Sequence, residues 1–137
     1  MMTYRNEKRQ SHMIVGIGID IAEVSRIKDL NARHGRRFHG RILTDSEIDD
    51  LASRADSAAY LSGRWAIKEA VFKALGTGWA HGVHFRQIEV RNNDFGKPEL
   101  ILTGRAKEVA DALGVVKYHI SISHDIHFAT GLCIFEA

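Results

Sequence analysis

Residues 58–75 read AAYLSGRWAIKEAVFKAL and form the longest helical pattern in the 137-residue sequence. At about 100° per residue, the large apolar side chains cover one broad arc of this helix. Ala66, Ala70 and Ala74 cover the opposite side, which is a surface suited to close packing. A helix that is apolar nearly all round is normally buried, and Gly76 provides a C-terminal stop. The stretch therefore predicts a buried helix that ends at Gly76.

Residues 14–21 alternate between two faces, which is typical of a β-strand. One face is apolar and consists of Val15, Ile17, Ile19 and Ile21. The other face carries two glycines and a carboxylate, Gly16, Gly18 and Asp20. Because the glycines leave their face bare, a ligand or another backbone could approach it closely.

The remaining patterns mix helices with strand pairs. They are a short helix through Val24, Ile27 and Leu30, a helix after the capping box at residues 44–47, strands at 87–91 and 99–102 around a turn at 92–96, a helix through 106–113, and strands at 118–123 and 128–135. This order predicts an α+β fold with a mainly antiparallel sheet packed with helices. The length suits a single domain, which we assign to residues 13–137 after a flexible, polar extension at 1–12.

Composition excludes several classes of protein. The net charge of +2 is too small to indicate a nucleic-acid partner, and no apolar run approaches the roughly 20 residues that cross a bilayer. The single cysteine, Cys133, allows no internal disulfide, so we expect a cytoplasmic protein without a membrane partner. Seven of the nineteen basic residues lie between Arg26 and Arg54. They indicate either a solvated surface or a docking face for an acidic partner.

Charged side chains interrupt the apolar helix at Arg64, Lys68, Glu69 and Lys73. Internal pairing, such as Glu69 with Lys73 one turn later, is one interpretation, and convergence on a ligand is the other. Asp20 is similarly open, because it could cap the following helix or bind a cation. Mg²⁺ typically takes one or two carboxylates and completes its shell with water and phosphate oxygens. Asp20 and Glu69 beside basic groups would suit a diphosphate-bearing substrate.

Three segments, in order, resemble the motifs of the holo-[acyl-carrier-protein] synthases, the small trimeric type of 4'-phosphopantetheinyl transferase. They are residues 14–21 followed by Arg26-Ile27, residues 63–78 (GRWAIKEAVFKALGTG), and residues 120–124 (ISISH), with smaller similarities at 41–44, Glu47 and 96–98. The similarity runs from about residue 13 to the C-terminus. Residues 1–12 and the segment with His81 and His84 have no counterpart that we can place.

The resemblance implies a fold and an activity. The fold is the 4'-phosphopantetheinyl transferase fold. The activity is transfer of 4'-phosphopantetheine from coenzyme A to a serine of apo-acyl carrier protein in fatty acid biosynthesis, which releases adenosine 3',5'-bisphosphate. The resemblance also implies a homotrimer whose active sites are shared between neighbouring subunits.

The resemblance further assigns site residues. It implies that Asp20 and Glu69 bind Mg²⁺ and are catalytic together with Lys73. It places Lys73, Arg64 and His124 at the bound coenzyme A. It places Arg26 on the helix that receives acyl carrier protein. The general base stays open among Asp20, Glu69 acting through a water, and bulk water.

Three other functions compete with this reading. A non-catalytic coenzyme A or nucleotide-binding module would keep Lys73, Arg64 and His124, but it has no use for both carboxylates. A hydrolase with a serine nucleophile and a histidine base at residues 121–125 is disfavoured. Adjacent strand residues point to opposite faces, so Ser123 and His124 cannot easily meet. A zinc site is disfavoured because no histidine or cysteine pair has the spacing that zinc ligands show.

Overall fold

Helix α4 (Ser57–Leu75) is the centre of the computed structural model, which describes residues 12–77 and 81–137. Its start is capped by the Asp56 carboxylate, which accepts a hydrogen bond from the Ala59 amide at 3.0 Å. Its end is Gly76, whose φ of 72° is a left-handed conformation that glycine adopts readily. Thirteen of its nineteen residues are buried, as the sequence predicts.

Other helices and strands surround α4. They are β1 (Ile14–Glu23), α1 (Val24–His34), α2 (Arg36–Ile42), α3 (Asp45–Ala52), β2 (Ile88–Asn92), β3 (Pro98–Leu102), α5 (Gly104–Ala112), β4 (Lys117–His124) and β5 (Phe128–Glu136). A 3-10 turn (Phe85–Gln87) precedes β2. In the described parts of the chain, the strands form a sheet in the order β1-β5-β4 and a β2-β3 hairpin, and all pairs are antiparallel. The predicted α+β class is confirmed.

The glycine face of β1 lies directly on α4. A Cβ atom added to Gly18 would stand 1.8 Å from the Ala70 carbonyl oxygen, and one added to Gly16 would stand 2.3 Å from that of Ala74. The sequence allowed either a ligand or another backbone to approach the two glycines, and the structure shows that the backbone of α4 does so. The small-residue surface of α4 is what allows this contact, because alanines keep the helix axis close to the sheet.

The apolar face of β1 points the other way. Ile17, Ile19 and Ile21 are 63–65% exposed. Their cross-strand neighbours on β5, Ile134, Leu132 and Thr130, are half-buried. The outer side of β1 is thus an apolar surface that no other part of the described chain covers, whereas β4 continues the same face of the sheet with polar side chains.

Some predictions were incomplete. The sequence patterns did not indicate α2, and β1 and α1 meet at Glu23, two residues later than the predicted end of the strand. The capping box at Thr44 is confirmed: its hydroxyl accepts from the Glu47 amide, and the Glu47 carboxylate accepts from the Thr44 amide at 3.0 Å.

The predicted extension at residues 1–12 lies outside the described residues except for His12, whose ring nitrogen is 3.0 Å from the Glu136 carboxylate. Within residues 12–77 and 81–137, no helix has the length and hydropathy needed to span a membrane.

Candidate active site

Two carboxylates and a lysine meet where β1 lies on α4. Asp20 follows Gly18 on the inner face of β1, and Glu69 and Lys73 are one turn apart on α4. The Lys73 ammonium donates to the Asp20 carboxylate at 3.1 Å and to the Ile19 carbonyl at 2.8 Å. Lys73 thus pairs with Asp20 and not with Glu69, so the predicted i,i+4 pair is wrong. The structure brings the three predicted catalytic residues together.

Asp20 does not cap the following helix. The N-cap residue of α1 is Glu23, and its side chain makes no capping hydrogen bond. The Asp20 carboxylate is instead 18% exposed, with Lys73 as its ion-pair partner. The helix-cap interpretation is therefore wrong, and the carboxylate is accessible for a ligand.

The two carboxylates influence each other. Burial raises the pKa of Glu69, the negative charge of Asp20 raises it further, and Lys73 opposes both effects. Two close carboxylates with hard oxygen donors suit Mg²⁺. In the described part of the chain, no cluster of three or more His, Cys, Asp or Glu side chains could hold a metal. A cation at this pair would need further oxygen ligands from water or a phosphate-bearing substrate.

Arg64 lies at a cavity of about 410 Å³ near the N-terminal half of α4. The side chain is buried, and its guanidinium carbon is 4.6 Å from the centre of the Tyr60 ring, a cation-π distance. The buried Nε and Nη2 atoms have no hydrogen-bond partner among the described residues. Unpaired buried N–H groups of an arginine are costly, so they favour an anionic ligand.

His124 lines the same cavity from the end of β4. Gly96 and Pro98 of the β2-β3 hairpin line it from another side. The hairpin turn is fixed by Asn93, whose side-chain oxygen accepts from the backbone amides of residues 95 and 97 at 2.9 and 3.0 Å. The structure thus brings the predicted coenzyme A residues Arg64 and His124 together at one cavity.

The carboxylate pair and the Arg64 cavity are separate in this chain. None of Asp20, Glu69 and Lys73 lines the cavity. Asp20 is in register with Gly131 of β5, which is in register with Ile122 of β4, and Ile122 lines the cavity. The two parts of the site therefore lie on the same face of one sheet, with Asp20 on β1 and Ile122 and His124 on β4.

Lys68 has a structural position that the sequence left open. Its ammonium is fully buried and donates to the Glu47 carboxylate at 2.5 Å, to the Ile42 carbonyl at 2.6 Å and to the Phe85 carbonyl at 3.3 Å. Burial lowers the pKa of Lys68, and Glu47 opposes that shift. The sequence indicated Glu47 through its capping box and a smaller family similarity, but nothing in the local pattern indicates a partner 21 residues away.

Arg26 is exposed on α1 and borders a groove with Ile21, Trp65 and Phe128. A larger groove of about 700 Å³ also borders Trp65. Its lining combines apolar residues with two histidines, Arg37 and Arg41. Three of the seven basic residues between Arg26 and Arg54 thus border grooves with apolar linings.

Comparison with known proteins gives the family. The model of the 4'-phosphopantetheinyl transferase superfamily matches residues 16–130. The chain belongs to this superfamily. A holo-[acyl-carrier-protein] synthase of Vibrio campbellii is 46% identical over 124 residues, which are 90% of this chain and 98% of that protein. The enzyme of the same name from Escherichia fergusonii is 40% identical over the same shares.

Solved structures agree with this assignment. The holo-[acyl-carrier-protein] synthase of Neisseria meningitidis has a TM-score of 0.84 and 36% identity, over 91% of this chain and all of that one. The synthase of Bacillus anthracis in complex with CoA (3',5'-ADP) has a TM-score of 0.76 and 39% identity, over 91% of this chain and 98% of that one. The predicted 4'-phosphopantetheinyl transferase fold is confirmed.

Proposed function

We propose that this chain is a holo-[acyl-carrier-protein] synthase that transfers 4'-phosphopantetheine from coenzyme A to a serine of apo-acyl carrier protein in fatty acid biosynthesis. Two sets of residues support the proposal in a chain so similar to synthases of that name. The acidic set is Asp20 and Glu69, with Lys73 beside them. The basic set is Arg64 with unpaired N–H groups at the His124 cavity. A module that only binds nucleotides needs the second set and not the first.

The acidic set fits Mg²⁺. Asp20 and Glu69 offer hard oxygen ligands whose mutual repulsion a cation would relieve. When bound, the ion would polarise the diphosphate of coenzyme A and stabilise negative charge on the departing adenosine 3',5'-bisphosphate. Among the described groups it is this pair, and no larger cluster, that we assign to the metal.

The remaining chemistry belongs to the chain's side chains. The serine oxygen of the carrier protein forms a bond to the phosphorus that carries pantetheine, and the bond from that phosphorus to the adenosine bisphosphate breaks. Lys73, whose ammonium already reaches the Asp20 carboxylate, neutralises charge on the phosphates. Arg64 donates its unpaired N–H groups to anionic oxygens of coenzyme A. The serine proton leaves to water or to one of the two carboxylates.

We further propose a homotrimer with active sites at the subunit interfaces. Helix α4 is largely covered by its own chain, so its apolar residues are not the surface that a partner subunit would cover. The uncovered apolar surface is the outer face of β1, with Ile17, Ile19 and Ile21. The separation of the carboxylate pair from the Arg64 cavity within one chain supports a site that two subunits complete. The number three rests on the resemblance to the family.

Acyl carrier protein is the proposed partner of the basic grooves at Arg26, Arg37 and Arg41. Carrier proteins of this family of reactions are acidic, so a surface that combines arginines with apolar floor at Trp65 offers both attraction and contact area. We assign the enzyme to the cytoplasm. The sequence has one cysteine, Cys133, which can form no internal disulfide, so the fold needs no oxidising environment.

One turnover assay tests the activity. The purified chain is mixed with coenzyme A, apo-acyl carrier protein and Mg²⁺, and the mass of the carrier protein is followed with adenosine 3',5'-bisphosphate release. We expect both products in equal amounts. A chain that binds coenzyme A but yields neither product would be the non-catalytic module, and the proposal would be wrong.

A further inference from the structure

The buried carboxylate of Glu47 is fixed in position by three donors. Its Oε1 atom accepts from the Lys68 ammonium at 2.5 Å and from the Thr44 amide at 3.0 Å. Its Oε2 atom accepts from the Val90 amide at 3.1 Å. Glu47 is 2% exposed, so no solvent competes for these positions. Donors from α4, from the N-cap of α3 and from β2 thus fix the position of the carboxylate, and its Oε2 atom keeps one free acceptor site.

Arg64 stands beside this carboxylate without bonding to it. Its Nε atom is 3.8 Å from the Glu47 Oε2 atom, which is within ion-pair range and too long for a hydrogen bond. The Arg64 Nε and Nη2 atoms have no hydrogen-bond acceptor among the described residues. The charge of Glu47 therefore attracts the guanidinium, while the donors that fix Glu47 keep its carboxylate beyond hydrogen-bond distance of the Arg64 Nε atom.

Lys68 and Arg64 are four residues apart on α4, so both cations face the same carboxylate. Without Lys68, the strongest donor on Glu47 would be missing, and a nearby guanidinium would be the obvious replacement. The N–H groups of Arg64 would then donate to Glu47 and would not be available to a phosphate. The lysine thus has a consequence for the cavity that a purely structural ion pair would not have.

We infer that Glu47 and Lys68 are positioning residues for the phosphate-binding Arg64: Lys68 anchors the Glu47 carboxylate, so that Arg64 is held by charge at the cavity but keeps its N–H groups for an anionic ligand. The inference rests on the proposed function, because it assumes that Arg64 binds the phosphates of coenzyme A. It adds two buried residues that touch no substrate.

The test measures binding and not turnover. Isothermal titration calorimetry gives the Kd of adenosine 3',5'-bisphosphate for the wild type, Lys68→Met, and the double variant Glu47→Gln with Lys68→Met. We expect Lys68→Met to weaken binding about tenfold or more, since the hydrogen bonds at stake involve charged groups. The double variant should recover most of that loss, because a neutral amide competes weakly for the guanidinium.

Two controls accompany the series. Lys107→Met removes a lysine from an exposed i,i+4 pair with Asp111 and should leave the Kd unchanged. Circular dichroism and thermal melts show whether each variant is folded. If Lys68→Met does not fold, Lys68→Gln replaces it. That side chain can give Glu47 only a neutral, weaker hydrogen bond, so a smaller effect in the same direction is expected.

The outcomes are distinct. Equal Kd values for the wild type and a folded Lys68 variant would overturn the inference. So would a double variant that binds more weakly than Lys68→Met, since that result fits simple loss of core structure. If the wild type itself bound neither adenosine 3',5'-bisphosphate nor coenzyme A, the proposed function would fail first. If Arg64→Ala bound as well as the wild type, the assignment of Arg64 would fail and the inference with it.

Discussion

The two faces of β1 have the same alternating pattern and opposite surroundings. The inner face consists of Gly16, Gly18, Asp20 and Ala22 and lies on α4. A Cβ atom added to Gly18 would be only 1.8 Å from a carbonyl oxygen of this helix. The outer face, which carries Ile17, Ile19 and Ile21, is about two-thirds exposed. In most half-buried strands the apolar face is the one that packs on the core.

The difference shows that packing distance decided the orientation. Small residues allow the strand backbone to touch the helix backbone, and this contact places the Asp20 carboxylate within reach of Lys73. Large side chains on the inner face would hold the sheet about 10 Å from the helix, as ordinary layers are. The isoleucines therefore remain for a partner, which we propose is another copy of the chain. Four predictions test this comparison, from the largest expected effect to the smallest.

Gly18→Ala should destabilise the protein most. The new methyl would overlap the Ala70 carbonyl, so β1 must move off α4, at a cost of more than about 3 kcal/mol of unfolding free energy. Gly40→Ala is the matched control, because nothing lies within 4 Å of its added Cβ in α2. It should be neutral or stabilising by up to about 1 kcal/mol. Urea denaturation of both variants gives the comparison, and equal stabilities would refute the close contact.

Asp20→Ala and Glu69→Ala should each abolish transfer while the protein stays folded. The physical reason is that phosphate oxygens alone cannot replace a carboxylate in the shell of Mg²⁺. The check is turnover with and without a chelator, beside Asp49→Ala, an exposed acid on α3, as a control. Normal turnover by Asp20→Ala, or wild-type turnover that a chelator does not reduce, would contradict the assignment of Mg²⁺ to Asp20 and Glu69.

Ile19→Asp should disrupt assembly with little loss of monomer stability. A charge on the outer face would be buried at the interface but solvated in the free chain. Light scattering should show the wild type as a trimer and the variant as a monomer, and transfer should fall because the proposed site is shared. Ile126→Asp, at a loop position 85% exposed, should leave the assembly intact. A wild type that is active as a monomer at micromolar concentration would contradict the model of a shared site.

Arg26→Ala, just beyond the end of β1, should have the smallest effect. We expect the KM for acyl carrier protein to rise by up to about fivefold, as for an exposed charge, while the KM for coenzyme A stays unchanged. Arg26→Glu should do more harm because it adds repulsion. Titrations of both substrates at low and high salt test this, since salt screens the attraction. A shift in the coenzyme A dependence instead would place Arg26 at the nucleotide.

Local patterns in the sequence determined much of this protein. The capping box at Thr44, the stop at Gly76 and the alternation of residues 14–21 each predicted an element that the structure contains, because these signals depend on neighbours within a few residues. The order of three motifs also predicted the family, which the superfamily match confirms. The grouping of Asp20, Glu69 and Lys73 was predicted through that resemblance and not from spacing.

Only the tertiary structure decided which partners the charges take. Lys73 bonds to Asp20, 53 residues away, and not to Glu69 on its own helix. Lys68 is buried against Glu47, although the helix pattern alone allowed it to face a ligand. Likewise, no local signal could tell which face of β1 is covered. Ion pairing and burial depend on elements that are distant in sequence and meet only when the sheet packs on α4, so the periodicity of a single segment cannot contain them.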